Sequence, residues 1–492
     1  MDKMYSCGVL LGDQSEHGWK IRYQQGDFNM TTASKLLPPL SKWEEQGYIP
    51  DEYGHWLKGA WRPISNFGFQ ISNLPSHARA ATITTRPEIL LSRDGTQAIR
   101  IKDIKEMALP LYQGVMMHQF EPSAAAWRSG TGLNAKWDDV EWSDKHFSPQ
   151  FLMDVKTVIA AGPSAATFKV GFRDIARTTD QRTMIATTVP RMPCGNPCPT
   201  LSGEGNPVAL VAALDSFVYD YQIRTRSSGT HLNYFIIAET SVPQITDANS
   251  ILAPLSASLC GGMPIFSPLW QRLATPAAMK RSWQHHWALT PYERIRLRCV
   301  VDACVAYTFG LTAEQFAWLL NECDYPASDA NSNDFSSRLD PKGFWRVDKE
   351  KDPELRHTVL AQVAFADLTE QGLDAFLAGP DGDGWQLPAT LRLADYGLGH
   401  DDRALEPQPV ASRLGPRFLD WQLGKDPAES WAECEAHAAQ LRALWTHARH
   451  LAGVDEQEED EPLRLVADPA ATYTVKPGRK GKSGGDQLDL FQ

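Results

Sequence analysis

The 492-residue sequence is short of the signatures by which a nucleotide- or metal-dependent enzyme is ordinarily read. No GxGxxG follows a strand-like run, GxxxxGK[ST] and HExxH are missing, and GxSxG occurs only as GKSGG (481–485) in the Gly- and Lys-rich tail, without a strand-like run before it. No uninterrupted apolar stretch approaches the 18 or so residues that a membrane helix needs, so the chain is expected to be cytoplasmic and not membrane-bound. Cysteine is sparse: positions 7, 194, 198, 260, 299, 304, 323 and 434 are too scattered for a disulfide scaffold, and reduced thiols are expected. CGNPC, residues 194–198, has no second Cys or His pair at zinc-ligand spacing and reads as a Gly/Pro loop that happens to carry thiols. Positive charge is also scarce. A net charge of −12 argues against a protein that coats nucleic acid nonspecifically, because that binding needs concentrated cations, but it leaves room for a local basic face.

What is present fits a globular chain of two to four domains, with 42% hydrophobic and 10% aromatic residues. Residues 1–108 read as a β-rich or irregular connector punctuated by turns such as GDQSEHG and SRDGTQ. Residues 109–250 contain strand-like runs (FKVGFRDI, RTMIATTVP, HLNYFIIAE) around one helix, NPVALVAALDSFVYDYQIRT. Residues 251–330 form a helical block in which Thr290-Pro291-x-Glu293 and Thr312 before Glu314 open helices and Gly310 closes one. Residues 331–455 are mainly helical, over 353–378 and 427–452, and 456–492 form a disordered tail. The fold class expected is α+β. His285 and His286 are adjacent and cannot share a helical face as a metal pair, so an aromatic cluster with Trp283 and Trp287 is expected. Arginines gather at 173, 177, 182, 191, 224 and 226, while DEQEEDE at 455–461 is an acidic block.

Three stretches carry a family signal. LPLYQGVMMHQFEPS (109–123), GFRDIARTTDQRTMIATTVPR with LDSFVYDYQIRTRSSGTHLNYFIIAETSVP (171–191 and 214–243), and LTPYERIRLRCVVDACVAYTFGLTAEQFAWLL (289–320) keep their order and spacing. Together with WKIRYQQGDFNMTTASKLL (19–37), they resemble the target-recognition and C-terminal region of type IIG restriction-modification enzymes and of the related BREX- and DISARM-like adenine-N6 DNA methyltransferases. The family's upstream S-adenosylmethionine motif and its NPP[YF] tetrapeptide do not occur; Asn196-Pro197 is followed by Cys198. The resemblance therefore implies a non-catalytic DNA-recognition subunit with no cofactor of its own. It would read double-stranded DNA for a separate methyltransferase subunit that holds S-adenosylmethionine, alone or with other defence-complex subunits. A nuclease with an unrecognised site in 330–452 and an acidic scaffold or DNA mimic remain the alternatives.

Under that resemblance Arg173, Arg177, Arg182, Arg224, Arg226 and Asn233 are the candidate DNA-binding residues, since Arg suits phosphate and guanine and Asn suits adenine. Arg182 and Asp215 also match positions that hold the family fold, and Asn233 is equally suited to cap a turn. Tyr112, His118, Gln119 and Phe120 read as a packed domain junction with His118 hydrogen-bonded internally, direct DNA contact being the alternative. Asp302 is expected to be satisfied by Arg294, Arg296 or Arg298 on its own helix. At the tail, QLDLF (487–491) resembles the pentapeptide that docks on the bacterial sliding clamp, with Gln487 in a polar pocket and Leu488, Leu490 and Phe491 supplying the apolar contacts. Docking on the methyltransferase subunit is the plainer option.

Overall fold

The computed structural model describes residues 1–67, 86–162, 167–379 and 382–454. They form a mixed α and β structure. Its central four-stranded antiparallel sheet runs in the order Ala186–Pro190, Phe168–Phe172, Thr200–Ser202, Arg22–Gln24. All five residues of each of the first two strands are buried, because helices cover the sheet. One of these is Pro207–Leu214, started by the Asn206 side chain accepting from Val208 N at 3.1 Å and buried along its length except at Pro207. A second antiparallel sheet takes Leu152–Asp154, Ile104–Pro110, Trp56–Gly59 and Ile49–Pro50 in that order. The boundary expected at 108/109 thus falls inside the strand Ile104–Pro110, and each sheet borrows a strand from across it.

Local signals placed the main helices well. Thr290 Oγ1 accepts from Glu293 N at 3.2 Å to open Pro291–Thr308, and Gly310 follows its end at φ +62°. Thr312 opens Ala313–Leu319 through a capping box whose return partner is Gln315, one residue beyond the Glu314 signal. Asp426 caps the 25-residue helix Pro427–Leu451. Three expectations are corrected. The helix expected over 206–225 is two, Pro207–Leu214 and Phe217–Arg226, because Ser216 stops one and caps the next through Tyr219 N. The 353–378 helix is likewise His357–Gln371 and Leu373–Ala378, broken at Gly372 with φ +82°. HLNYFIIAE is not a strand: the Asn233 carbonyl accepts from Ile236 N at 3.0 Å and starts the helix Tyr234–Ala238, which buries Ile237 and leaves Phe235 66% exposed.

One hydrophobic cluster runs without interruption from Met4 to Ala448. The helix Pro291–Thr308 packs on His357–Gln371 inside it, and Pro427–Leu451 packs on Ser267–Leu273. The expected cluster forms only in part: Trp283 and Trp287 meet edge-on at 4.8 Å, but the histidines pack on other rings, His286 on Trp270 at 5.7 Å and His285 on Phe418 at 4.3 Å. Among the described residues, no helix is long and apolar enough to cross a membrane.

Candidate nucleic-acid interface

The segment 109–123 folds around a tight turn at its second half. His118 N donates to Glu121 O and Glu121 N to His118 O, both at 2.9 Å. The turn closes only because Phe120 takes a left-handed backbone, φ +57°, which costs a non-glycine residue about 1–3 kcal/mol. Buried contacts hold it there. Phe120 N donates to Asp215 Oδ2 at 2.9 Å, and Asp215 Oδ1 accepts from Ala186 N at 2.8 Å. The Gln119 amide donates to Asp215 O at 3.1 Å and Met184 O at 3.3 Å and accepts from Arg298 Nη2 at 3.2 Å. Arg173 Nε donates to Gly114 O at 3.0 Å and its Nη2 to Met117 O, while Tyr112 Oη donates to Pro122 O at 2.5 Å. Stretches beginning at 109, 171, 214 and 289 therefore close on one node.

Tyr112, Gln119 and Phe120 are packed as a junction, at 3% exposure or less. His118 is not. Its ring is exposed and, contrary to expectation, finds no hydrogen-bond partner among the described residues. It nevertheless sits in a recess dense enough to be poorly hydrated: desolvation first, then Arg173, Arg298, Arg182 and Arg294, push the imidazole down to about 3. Arg294 and Arg298 project one turn apart from the same helix face. Arg294 donates to Leu259 O at 3.0 Å and Ala288 O at 3.2 Å and lies 3.6 Å from the Trp142 ring; burial lowers it to about 10. The carboxylate acting on this group, Glu121, is already bound to Lys145.

Of the six residues expected to face DNA, two are inside the fold. Arg182, 5% exposed, lies 2.9 Å from Asp220 Oδ2 and over the Phe217 ring at 4.2 Å. Arg224, 1% exposed, donates to the carbonyls of Lys342, Gly343, Asp180 and Gln181 at 2.8–3.1 Å and stacks on Phe344. Asp220 joins the pair and also accepts from Thr183 N and Met184 N at 3.1 Å. These two guanidiniums neutralise a buried carboxylate and cannot reach a phosphate, which corrects their assignment. Asp302 is corrected as well: it accepts from Phe217 N at 2.7 Å and meets His357 Nε2 at 2.8 Å, rather than an arginine of its own helix. Arg296 instead pairs with Glu293, which also holds Arg417.

Three of the six point outward. Arg177 is exposed and its guanidinium has no partner among the described residues, Arg226 is tied to Tyr5 Oη at 2.9 Å and Glu239 Oε2 at 2.8 Å, and Asn233 stands exposed at the helix start without making a cap bond. Arg173 is half-buried. Beside Arg177, Ala176 N bonds Thr230 O and Leu232 N bonds Asp174 O, so Ile175 and His231 form a non-hydrogen-bonded pair whose side chains stand together. Ile175 is 65% exposed there, and Asp174 Oδ2 fixes His231 Nδ1 at 2.8 Å. As members of the site, sequence reading missed Ile175, Phe235, Arg294 and Arg298; the i, i+4 spacing of the two arginines on one helix was the available signal for the last two.

A separate surface pocket near the C-terminal helix includes Gln271, Trp431, Asp426 and Glu435, and its acidic lining suits no polyanion. Among the described residues no group of three or more His, Cys, Asp or Glu could hold a metal ion. Cys194 and Cys198 are buried, with Lys169 paired to Asp27 at 2.6 Å beside the loop. Gln487, Leu488, Leu490 and Phe491 lie outside the described residues. Comparison with protein-family models, curated proteins and solved structures finds no match to this chain.

Proposed function

We propose that the chain is the DNA target-recognition subunit of a bacterial restriction-modification or phage-defence complex. It acts in the cytoplasm, without catalysis of its own, and directs a separate adenine-N6 methyltransferase subunit that carries S-adenosylmethionine. The observation that carries this reading is the convergence at the Gln119 turn: the stretches resembling that family, far apart in sequence, bond to one another through Arg173, Gln119, Asp215 and Arg298. The outward Arg177 and Asn233, with exposed Ile175 and Phe235 close to them in sequence, supply the cation, the polar reader and the apolar contacts that duplex recognition uses, while Arg226 is already paired with Glu239. The pentapeptide 487–491 serves as a tether to the sliding clamp.

The test combines the full chain with the methyltransferase encoded beside its gene and maps methylated adenines. The chain should be required, or should change the site methylated, and Arg177→Ala should lower the salt dependence of duplex binding by about one phosphate contact. Methylation that proceeds at the same sites without the chain refutes the assignment.

A further inference from the structure

Arginines crowd the recess around His118. Arg173, Arg294 and Arg298 line it, and among the described residues none forms an ion pair and their N–H groups bond only to backbone carbonyls and to the Gln119 amide. Arg298 Nε is buried with no partner among the described residues. The nearby carboxylates are spoken for. Glu121 is bound to Lys145, Asp215 accepts from Phe120 N and Ala186 N, Asp302 accepts from Phe217 N and meets His357, and Asp348 is held by Lys351 at 2.9 Å and His357 N at 3.1 Å. Desolvation lowers the pKa of all three arginines, a cost that an anion bound among them would offset.

We infer that this recess binds a phosphate group, with Arg298, Arg173 and the His118 imidazole as its ligands and Arg294 adding charge from the rim. The guanidinium fork matches the oxygens of a phosphate better than a spherical anion, and a neutral imidazole contributes one ring N–H without adding to the repulsion among the arginines. The left-handed Phe120 has a role here: the strained turn keeps His118 projecting into the recess while Phe120 itself stays in the core. The inference stands apart from the proposed function, because the phosphate can be a backbone phosphodiester of DNA or the phosphate of a free nucleotide.

The full chain should be titrated by calorimetry with inorganic phosphate and with dAMP, and by fluorescence anisotropy with a short duplex. Wild type should show saturable binding of at least one of the three. His118→Ala, at a residue outside the core, and Arg298→Gln, which keeps an amide for Gln119, should each weaken that binding about tenfold or more. Arg177→Gln, outside the recess, should leave phosphate and dAMP binding within about twofold, and Arg298→Lys should recover part of the loss. A DNA arm that weakens with His118→Ala and is competed by phosphate identifies the backbone as the source. Tight dAMP binding with duplex affinity indifferent to both recess variants identifies a nucleotide. Absence of saturable phosphate and dAMP binding, together with duplex affinity unchanged by His118→Ala and Arg298→Gln, overturns the inference whether or not the chain proves to direct a methyltransferase.

Discussion

Acid should loosen the C-terminal helix from the body of the protein, and His437 sets the size of the effect. The ring is 1% exposed, its Nδ1 lies 2.7 Å from Tyr53 Oη, and its Nε2 is 3.9 Å from Glu433 Oε1 with no hydrogen bond. Tyr53 also bonds Gln440 Oε1 at 2.5 Å, and Gln440 Nε2 reaches Ile89 O at 2.6 Å, so the histidine belongs to a buried clasp between this helix and the β region. Burial first, then Lys425, pushes the imidazole down to about 3. A base whose folded pKa lies below its unfolded value of about 6.5 is protonated first in the unfolded chain, so stability is intact above pH 7 and falls as pH drops through 6.5 toward 3. At pH 5, about 1.5 pH units below the unfolded value and 1.36 kcal/mol per unit, the loss is about 2 kcal/mol. His285 and His357, each lowered to about 4, act in the same direction, while Glu433, raised by burial, offsets part of the loss at the acid end. The assay is urea unfolding of wild type and His437→Gln at pH 7.5 and pH 5. The variant should be the weaker protein at pH 7.5 yet lose about 2 kcal/mol less on acidification. An equal loss in both proteins refutes the reasoning.

Asp220→Ala leaves Arg182 and Arg224 facing each other in the interior without their carboxylate, and should cost about 3–5 kcal/mol in urea unfolding, whereas mutating the exposed Arg177 should cost less than about 0.5 kcal/mol. Gly26 and Gly47 both have positive φ, but a Cβ on Gly26 would come 2.5 Å from Gly195 O whereas one on Gly47 meets nothing within 4 Å. Gly47→Ala should therefore cost only the backbone term, about 1–2 kcal/mol, and Gly26→Ala clearly more, read as the difference in unfolding midpoints.

Features that depend on a few neighbouring residues were legible in the sequence; those that depend on distant partners were not. Thr290-Pro291-x-Glu293 and Gly310 marked the ends of one helix because capping is a local hydrogen bond between side chain and backbone. The pairing of Arg22–Gln24 with Thr200–Ser202 left no comparable trace, since a β partner some 180 positions away is chosen by the whole core. HLNYFIIAE misled for a related reason: four apolar residues in a row suit a buried strand or a helix turn, and the His231–Ile175 bridge had already ended the sheet before Tyr234. At the candidate site, one-letter charge did not distinguish Arg177 from Arg224. Both are arginines near turns, but Phe344, Asp220 and four carbonyls enclose the second, and three of those carbonyl and ring partners lie more than 100 residues downstream. The recess was illegible in the same sense, because His118, Arg173 and Arg298 come from three separate stretches.

The acidic balance of the chain and its basic site are compatible on simple grounds. Net charge sums over every residue, but at physiological salt a polyanion senses charge only within a Debye length of about 8–10 Å. The −12 total is consistent with weak attraction to random duplex, whereas the arginines around His118 act at contact distance in a partly dehydrated recess where screening is weakest. A protein of this kind gains little from counterion release and much from fit, so on the proposed reading its affinity for DNA should rise steeply when the correct site is present and only modestly when salt is lowered. A tether that keeps such a protein near DNA then has a physical purpose. On the proposed reading, with little nonspecific affinity to hold it on the duplex between encounters, docking through 487–491 would raise the local concentration and stand in for the sliding that a basic protein would use.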